Sequence, residues 1–191
     1  KITDDNNAKD YTVKGSATAA GEFVMGTQLD DVDTIIGGAA TTDTLSATVN
    51  GLTATTGALS ISGVETIQLD TATGASTINA AGIVGATTIA VGSDQSVTLT
   101  NLAAGTNLQL GVTGSLDYST QAVLTASLAD ATGSSDAITV TLSDTATDGD
   151  ISAGLSIAGI ETVTLADATT AGTGNNKNIA VANVAATTLN V

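Results

Sequence analysis

Histidine, cysteine, proline and tryptophan are absent from the 191 residues, and all four basic residues are lysine. Aromatic residues are limited to Tyr11, Phe23 and Tyr118. Without thiol or imidazole there is no Cys or His nucleophile, no His general base and no zinc, copper or iron site of the usual nitrogen and sulfur type. Without arginine, and with 19 acidic residues giving a net charge of −15, phosphate-directed nucleic-acid binding is excluded. So few aromatics also exclude sugar-stacking sites and aromatic hot spots for partners. No apolar run approaches the roughly 18 residues of a membrane span, so no membrane insertion is expected. The remaining chemistry is that of oxygen: carboxylates, hydroxyls, amides and carbonyls, the ligands of hard cations such as Ca²⁺.

An apolar fraction of 42% is too high for an acidic disordered tail. The apolar residues are mostly alanine, with Val, Ile and Leu in short groups, which predicts a thin core. The absence of cysteine beside this acidity fits an exported bacterial protein that does not rely on disulfides. Lys1 opens a charged, linker-like stretch and Val191 closes a strand pattern, so the chain reads as part of a longer repetitive protein.

Short groups alternate apolar residues with Thr, Ser or Asn. Between Glu65 and Val112 they read ETIQL, STINA, TTIAV, SVTLT and NLQLGV, centred on Ile67, Ile78, Ile89, Leu99 and Leu110. Period-two alternation is the strand signature, and the Gly, Asp and Asn between the groups make turns. Only Gln121 to Ala129 (QAVLTASLA) suggests a helical turn or two. An internal repeat adds to this: LSISGVETIQL at 59–69 returns as LSIAGIETVTL at 155–165, and VGATTIAV at 84–91 as VAATTLNV at 184–191. Stacked repetition follows. The expected fold is all-β, a right-handed parallel β-solenoid or β-roll-like stack with two strands per coil; the alternative is two tandem β-sandwich domains. The expected units are 1–28 as linker or N-terminal strand region, 29–128 as a first repeat and 129–191 as a truncated second.

The densest acidic patch is LDDVDTIIGGAATTDTL at 29–45. It places Asp30, Asp31 and Asp33 ahead of a strand, a Gly37-Gly38 turn after it, and Asp43 before the next strand. Such mutual repulsion is relieved by a bound cation or by water, and a cation is the expectation for the cluster. Glu65 and Glu161 occupy equivalent repeat positions. Each is either a cation ligand, paired with Asp70 or Asp167, or a carboxylate accepting turn N–H groups. A second acidic group, Asp144, Asp148 and Asp150 (SDTATDGDIS), precedes the second repeat and is a second expected cation site.

The run DTIIGGAATTDTL resembles a degenerate Gly-Gly-x-Gly-x-Asp-x-apolar-x repeat, which binds Ca²⁺ in RTX proteins. ISGVET and AGIETV resemble a phrase of RTX-type bacterial surface-layer proteins, those of the Caulobacter-like group secreted by type I systems. The resemblance implies that Asp31, Asp33 and Asp43 are calcium ligands, with Gly37 and Gly38 supplying carbonyls and tight backbone angles. It further implies an extracellular, Ca²⁺-dependent protein that assembles with itself as a lattice or filament, with cell-surface polysaccharide as a further partner. A calcium-stiffened adhesin repeat is the alternative. Catalysis is not expected, because carboxylate pairs here lack the Arg, Lys and aromatic residues that hold sugars. Thr-x-Thr pairs at 53–55, 71–73, 98–100 and 139–141 raise ice binding as a third class. Ice binders need such pairs ranked on one flat face, and these intervals are irregular.

Overall fold

The computed structural model describes residues 11–16, 19–27, 29–71, 73–93, 95–111, 122–143, 151–168, 177–182 and 186–190. The chain winds as a parallel β-solenoid in which every strand pairs with a strand of the neighbouring coil. Sheet A contains β1 (Thr12–Lys14), β3 (Thr34–Ile36), β6 (Ser60–Ser62) and β9 (Ile83–Val84). Sheet B contains β2 (Glu22–Gly26), β4 (Thr44–Thr48), β7 (Thr66–Thr71), β10 (Thr88–Ser93), β12 (Asn107–Leu110), β14 (Ala137–Leu142), β16 (Thr162–Asp167) and β18 (Thr188–Asn190). Sheet C contains β5 (Thr53–Ala54), β8 (Ser76–Asn79), β11 (Val97–Leu102), β13 (Ala122–Leu128), β15 (Ile151–Ala158) and β17 (Lys177–Ala182). Parallel pairing throughout replaces the tandem-sandwich alternative.

The alternating pattern dictates this packing, because period two sends every second residue inward. In sheet B, Phe23, Leu45, Ile67, Ile89, Leu108, Val140 and Leu165 stack in register along the axis. In sheet C, Ala54, Ile78, Leu99, Ala126 and Ile157 do the same. Each fully buried Ile or Leu contributes about 1.5–3 kcal/mol, and stacking like on like fills a thin core with no need for large aromatics. The segment expected to turn helical, Gln121 to Ala129, instead supplies strand β13. Its Leu124, Ala126 and Leu128 are spaced by two and pair with Val97, Leu99 and Leu102, so burial overrides helix propensity.

Two strands per coil describe only the later part of the stack. From β3 to β11 the chain visits sheets A, B and C in turn, and the first sheet B strands start at 22, 44, 66 and 88. After β11 it passes directly to β12, and the coils become two-sided. Sheets B and C continue through residues 128–129 without a break, since β12 pairs with β14 and β13 with β15.

Gly37 and Gly38 stand at the corner between sheets A and B, and neither has a positive φ. Their requirement is close approach. A Cβ on Gly37 would lie 1.6 Å from the Gly63 carbonyl oxygen, and one on Gly38 1.8 Å from that of Ser16. The Gly37 N–H donates to the Ser62 carbonyl at 2.7 Å, locking the coils at that distance. Gly37→Ala should therefore lower stability by at least about 2 kcal/mol, or roughly 4–8 °C in Tm. Gly26→Ala, with open space but a φ of 58°, should cost about 1 kcal/mol. Thermal and denaturant unfolding of the two variants checks the order.

Candidate functional site

At each coil corner the sheet ladder ends and backbone N–H groups turn toward the interior, where an unpaired donor costs about 1–3 kcal/mol. The acidic residues answer this need. Asp33, fully buried, precedes β3; its Oδ1 accepts the Tyr11 N–H at 2.8 Å and its Oδ2 the Asp30 N–H at 2.9 Å. Asp43, also fully buried, precedes β4; its Oδ1 accepts the Gly21 N–H and its Oδ2 the Gly38 N–H, each at 2.5 Å. Glu65 precedes β7, and its Oε2 accepts the Asp43 N–H at 2.8 Å. Tyr11, Gly21 and Asp43 each lie 22 residues before the carboxylate they meet, which is one coil.

The contact between Asp43 and Glu65 is reciprocal. The N–H groups of Glu65 and Thr66 both donate to the Asp43 carbonyl at 3.1 Å, while the Glu65 side chain takes the Asp43 N–H. One coil on, Thr87 continues the line: its N–H donates to the Glu65 carbonyl at 2.9 Å and its hydroxyl to the same oxygen at 3.1 Å. Two sheet B rungs later the series restarts. Asp136 N–H donates to Glu161 Oε2 at 2.9 Å, Glu161 N–H to the Asp136 carbonyl at 3.1 Å, and Thr187 N–H to the Glu161 carbonyl at 2.9 Å. The sequence repeat thus encodes an Asp–Glu–Thr ladder used twice.

The two aspartates at the heads of these ladders differ. Asp43 closes two donors, whereas Asp136 Oδ2 is buried with no hydrogen-bond partner and faces Gly133.

The 29–45 cluster is therefore split. Asp33 and Asp43 point inward, while Asp30 and Asp31 line an outer groove of about 450 Å³ with Thr27, Leu29, Asn50 and Gly51. Asp30 Oδ1 accepts the Val32 N–H at 3.0 Å in a local turn. Gly37 and Gly38 serve close coil contact, as described above, and not tight backbone angles. Glu65 and Glu161 take the second of their two expected roles, accepting turn N–H groups. Their suggested pairings with Asp70 and Asp167 do not form: the members stand at opposite ends of β7 and β16, some five or six residues apart at about 3.3 Å each. Asp144, Asp148 and Asp150 lie outside the described residues. Among the described residues, no three His, Cys, Asp or Glu side chains gather to hold a metal.

Asp33 and Asp43 each spend one lone pair per carboxylate oxygen on a backbone N–H. The signal for the ladder was present in the sequence as an acid, a threonine and an apolar residue at four strand starts. It reads Asp33-Thr34-Ile35, Asp43-Thr44-Leu45, Glu65-Thr66-Ile67 and Glu161-Thr162-Val163. Comparison of the chain with known protein families, curated proteins and solved structures finds no match.

Asp43→Asn replaces one acceptor oxygen by an amide that meets an N–H head-on, and Asp43→Ala removes both acceptors. Each should cost about 2–4 kcal/mol, against under about 1 kcal/mol for Glu65→Gln, which keeps an oxygen toward Asp43. Asp136→Ala should cost much less than Asp43→Ala, since Asp136 Oδ2 has no hydrogen-bond partner to lose. Urea unfolding of the four variants reads this ranking. At the exposed 129–135 turn, the Thr132 hydroxyl donates to Asp130 Oδ1 at 2.6 Å and the Thr132 N–H at 3.0 Å, holding the Asp130 carboxyl below its ordinary value. A lowered folded-state pKa stabilises above the unfolded value, and that contribution is lost as pH falls through the folded one. Thr132→Val should raise the Asp130 midpoint in an NMR titration.

Proposed function

We propose that this chain is a structural segment of a self-assembling, extracellular bacterial surface-layer protein of the RTX type. The observation that carries the reading is the corner ladder. Carboxylates at Asp33, Asp43, Glu65 and Glu161 are spent on tying one coil to the next, which makes a rod held together along its axis. A rod of this kind offers its outer faces and acidic turns to further copies. At −15, copies repel one another unless divalent cations bridge or screen them. Calcium therefore acts between copies at half-buried acidic turns such as Asp30–Asp31, and the buried aspartates already tie the coils to one another through backbone N–H groups.

The test is assembly against calcium. In millimolar Ca²⁺, electron microscopy and light scattering should show ordered sheets or filaments that a chelator disperses. Equal NaCl should not replace calcium, and the melting temperature of the dispersed protein should not change with chelator. A chain that stays monomeric at every calcium and protein concentration would overturn the proposal.

A further inference from the structure

Asparagine occurs at 11 positions, and Asn50 alone is followed by glycine. The pair lies between β4 of sheet B and β5 of sheet C, in a four-residue turn closed by the Leu52 N–H on the Val49 carbonyl at 3.0 Å. Gly51, third in that turn, has a φ of 67°, while Asn50 before it stays out of the left-handed region. That combination is a type II turn, whose third position calls for glycine. Both residues are exposed, and nothing lies within 4 Å of where a Cβ on Gly51 would stand.

An asparagine carboxamide and the backbone nitrogen of the next residue can close a ring. The Gly51 nitrogen gives up its proton to water and adds to Asn50 Cγ. The bond from Cγ to Nδ2 then breaks, Nδ2 takes a proton from water and leaves as ammonia, and a five-membered succinimide remains. Water opens the ring at either carbonyl, which yields aspartate or the isoaspartate whose backbone runs through the side-chain carboxyl. One water enters, one ammonia leaves, and nothing is oxidised or reduced. A side chain on the following residue obstructs the approach, and glycine has none.

The surroundings of Asn50 suit both steps. Its Oδ1 accepts the Thr73 N–H at 3.1 Å, which holds the carboxamide at the turn and draws electron density from Cγ. The Gly51 N–H is held at 3.2 Å by the Gly74 carbonyl, an oxygen shared with the Thr71 hydroxyl at 3.1 Å. The groove of about 450 Å³ lined by Asn50, Gly51, Asp30 and Asp31 admits the water for ring opening. Other asparagines are placed differently. Asn79, Asn101 and Asn107 precede Ala80, Leu102 and Leu108, all buried in the core, and Asn79 Oδ1 is fixed by the Ala81 N–H at 3.0 Å and by Asn101 Nδ2 at 2.9 Å.

We propose that Asn50 is a site of spontaneous deamidation in the folded chain, converting to aspartate and isoaspartate through a succinimide formed with Gly51. The product sets a third carboxyl in the groove beside Asp30 and Asp31, and each converted copy carries one more negative charge. The isoaspartate product also lengthens the backbone of a tight corner, where a Cβ on Gly74 would stand only 3.3 Å from the Gly51 Cα. The charge of this groove thus records the age of the molecule. The reaction is independent of calcium and of assembly.

The experiment incubates the full chain for weeks in calcium-free, mildly alkaline buffer, read by isoelectric focusing and by peptide mapping with mass spectrometry. Acidic species should accumulate, map to Asn50 as both products, and form faster as pH rises. Hydroxylamine, which attacks the succinimide, should split the chain between residues 50 and 51. Asn50→Gln, whose longer side chain closes a ring far less readily, should stop the acidic shift, and Asn50→Asp should comigrate with the aspartate product from the start. Gly51→Ala should slow conversion severalfold. Circular dichroism identifies which variants remain folded, and Asn50→Gln decides if Gly51→Ala does not fold. An Asn50 amide that survives in the folded chain and converts only in urea overturns the proposal, as does equal conversion at Asn79, Asn101 and Asn107.

Discussion

The hydrogen bond from a corner N–H to a carboxylate one coil away governs the rest of this structure. Within a strand, parallel pairing satisfies most backbone groups, with side chains assisting at places such as the Val123 N–H, which donates to Ser96 Oγ. At a corner the chain changes direction, donors splay, and the interior offers no water. Asp33 and Asp43 solve this by aiming two oxygens at two donors, and Glu65 and Glu161 by reaching back a full coil. Coil length, the glycine corner and the register of sheets A and B depend on that closure. Asp43 meets Gly21 and Gly38 at the same corner where Gly37 sits against Gly63.

The acidic character therefore divides in two. Some carboxylates are internal fasteners, whose negative charge is balanced by fixed N–H dipoles in the manner of a helix N-terminus. Others, such as Asp30, Asp31 and Asp130, stand outside at turns and set how the surface interacts with ions and other copies. A cluster that looks uniform along the sequence thus separates by facing direction. The deciding feature is position relative to a strand start: an acid immediately before Thr and an apolar residue turns inward, and an acid two or more residues earlier does not.

Much of the fold was legible in the residues. The strand centres Ile67, Ile78, Ile89, Leu99 and Leu110 are all fully or almost fully buried, because period-two alternation admits only one set of inward side chains. The third side of the early coils was less legible, since Thr34–Ile36 and Ser60–Ser62 are three residues long and carry too little pattern to separate from a turn. Gln121–Ala129 misled through its Ala and Leu content, which favours helix locally. Site chemistry was the harder part. Glu65 offered two roles that differ only in whether an oxygen meets a cation or an N–H, and the nearest N–H is 22 residues away in sequence.

The change of cross-section after β11 has a mechanical consequence. Sheet B alone threads from the first coils to the last, so it acts as the longeron of the rod. Where sheet A is present, wall material surrounds the axis on three sides and resists flexing in every direction. Among the described residues sheet A has no strand past β9, and a flattened tube bends more easily about its broad face than about its narrow edge. The molecule therefore has a stiff half and a compliant half, with one preferred plane of bending that begins where Val84 ends sheet A.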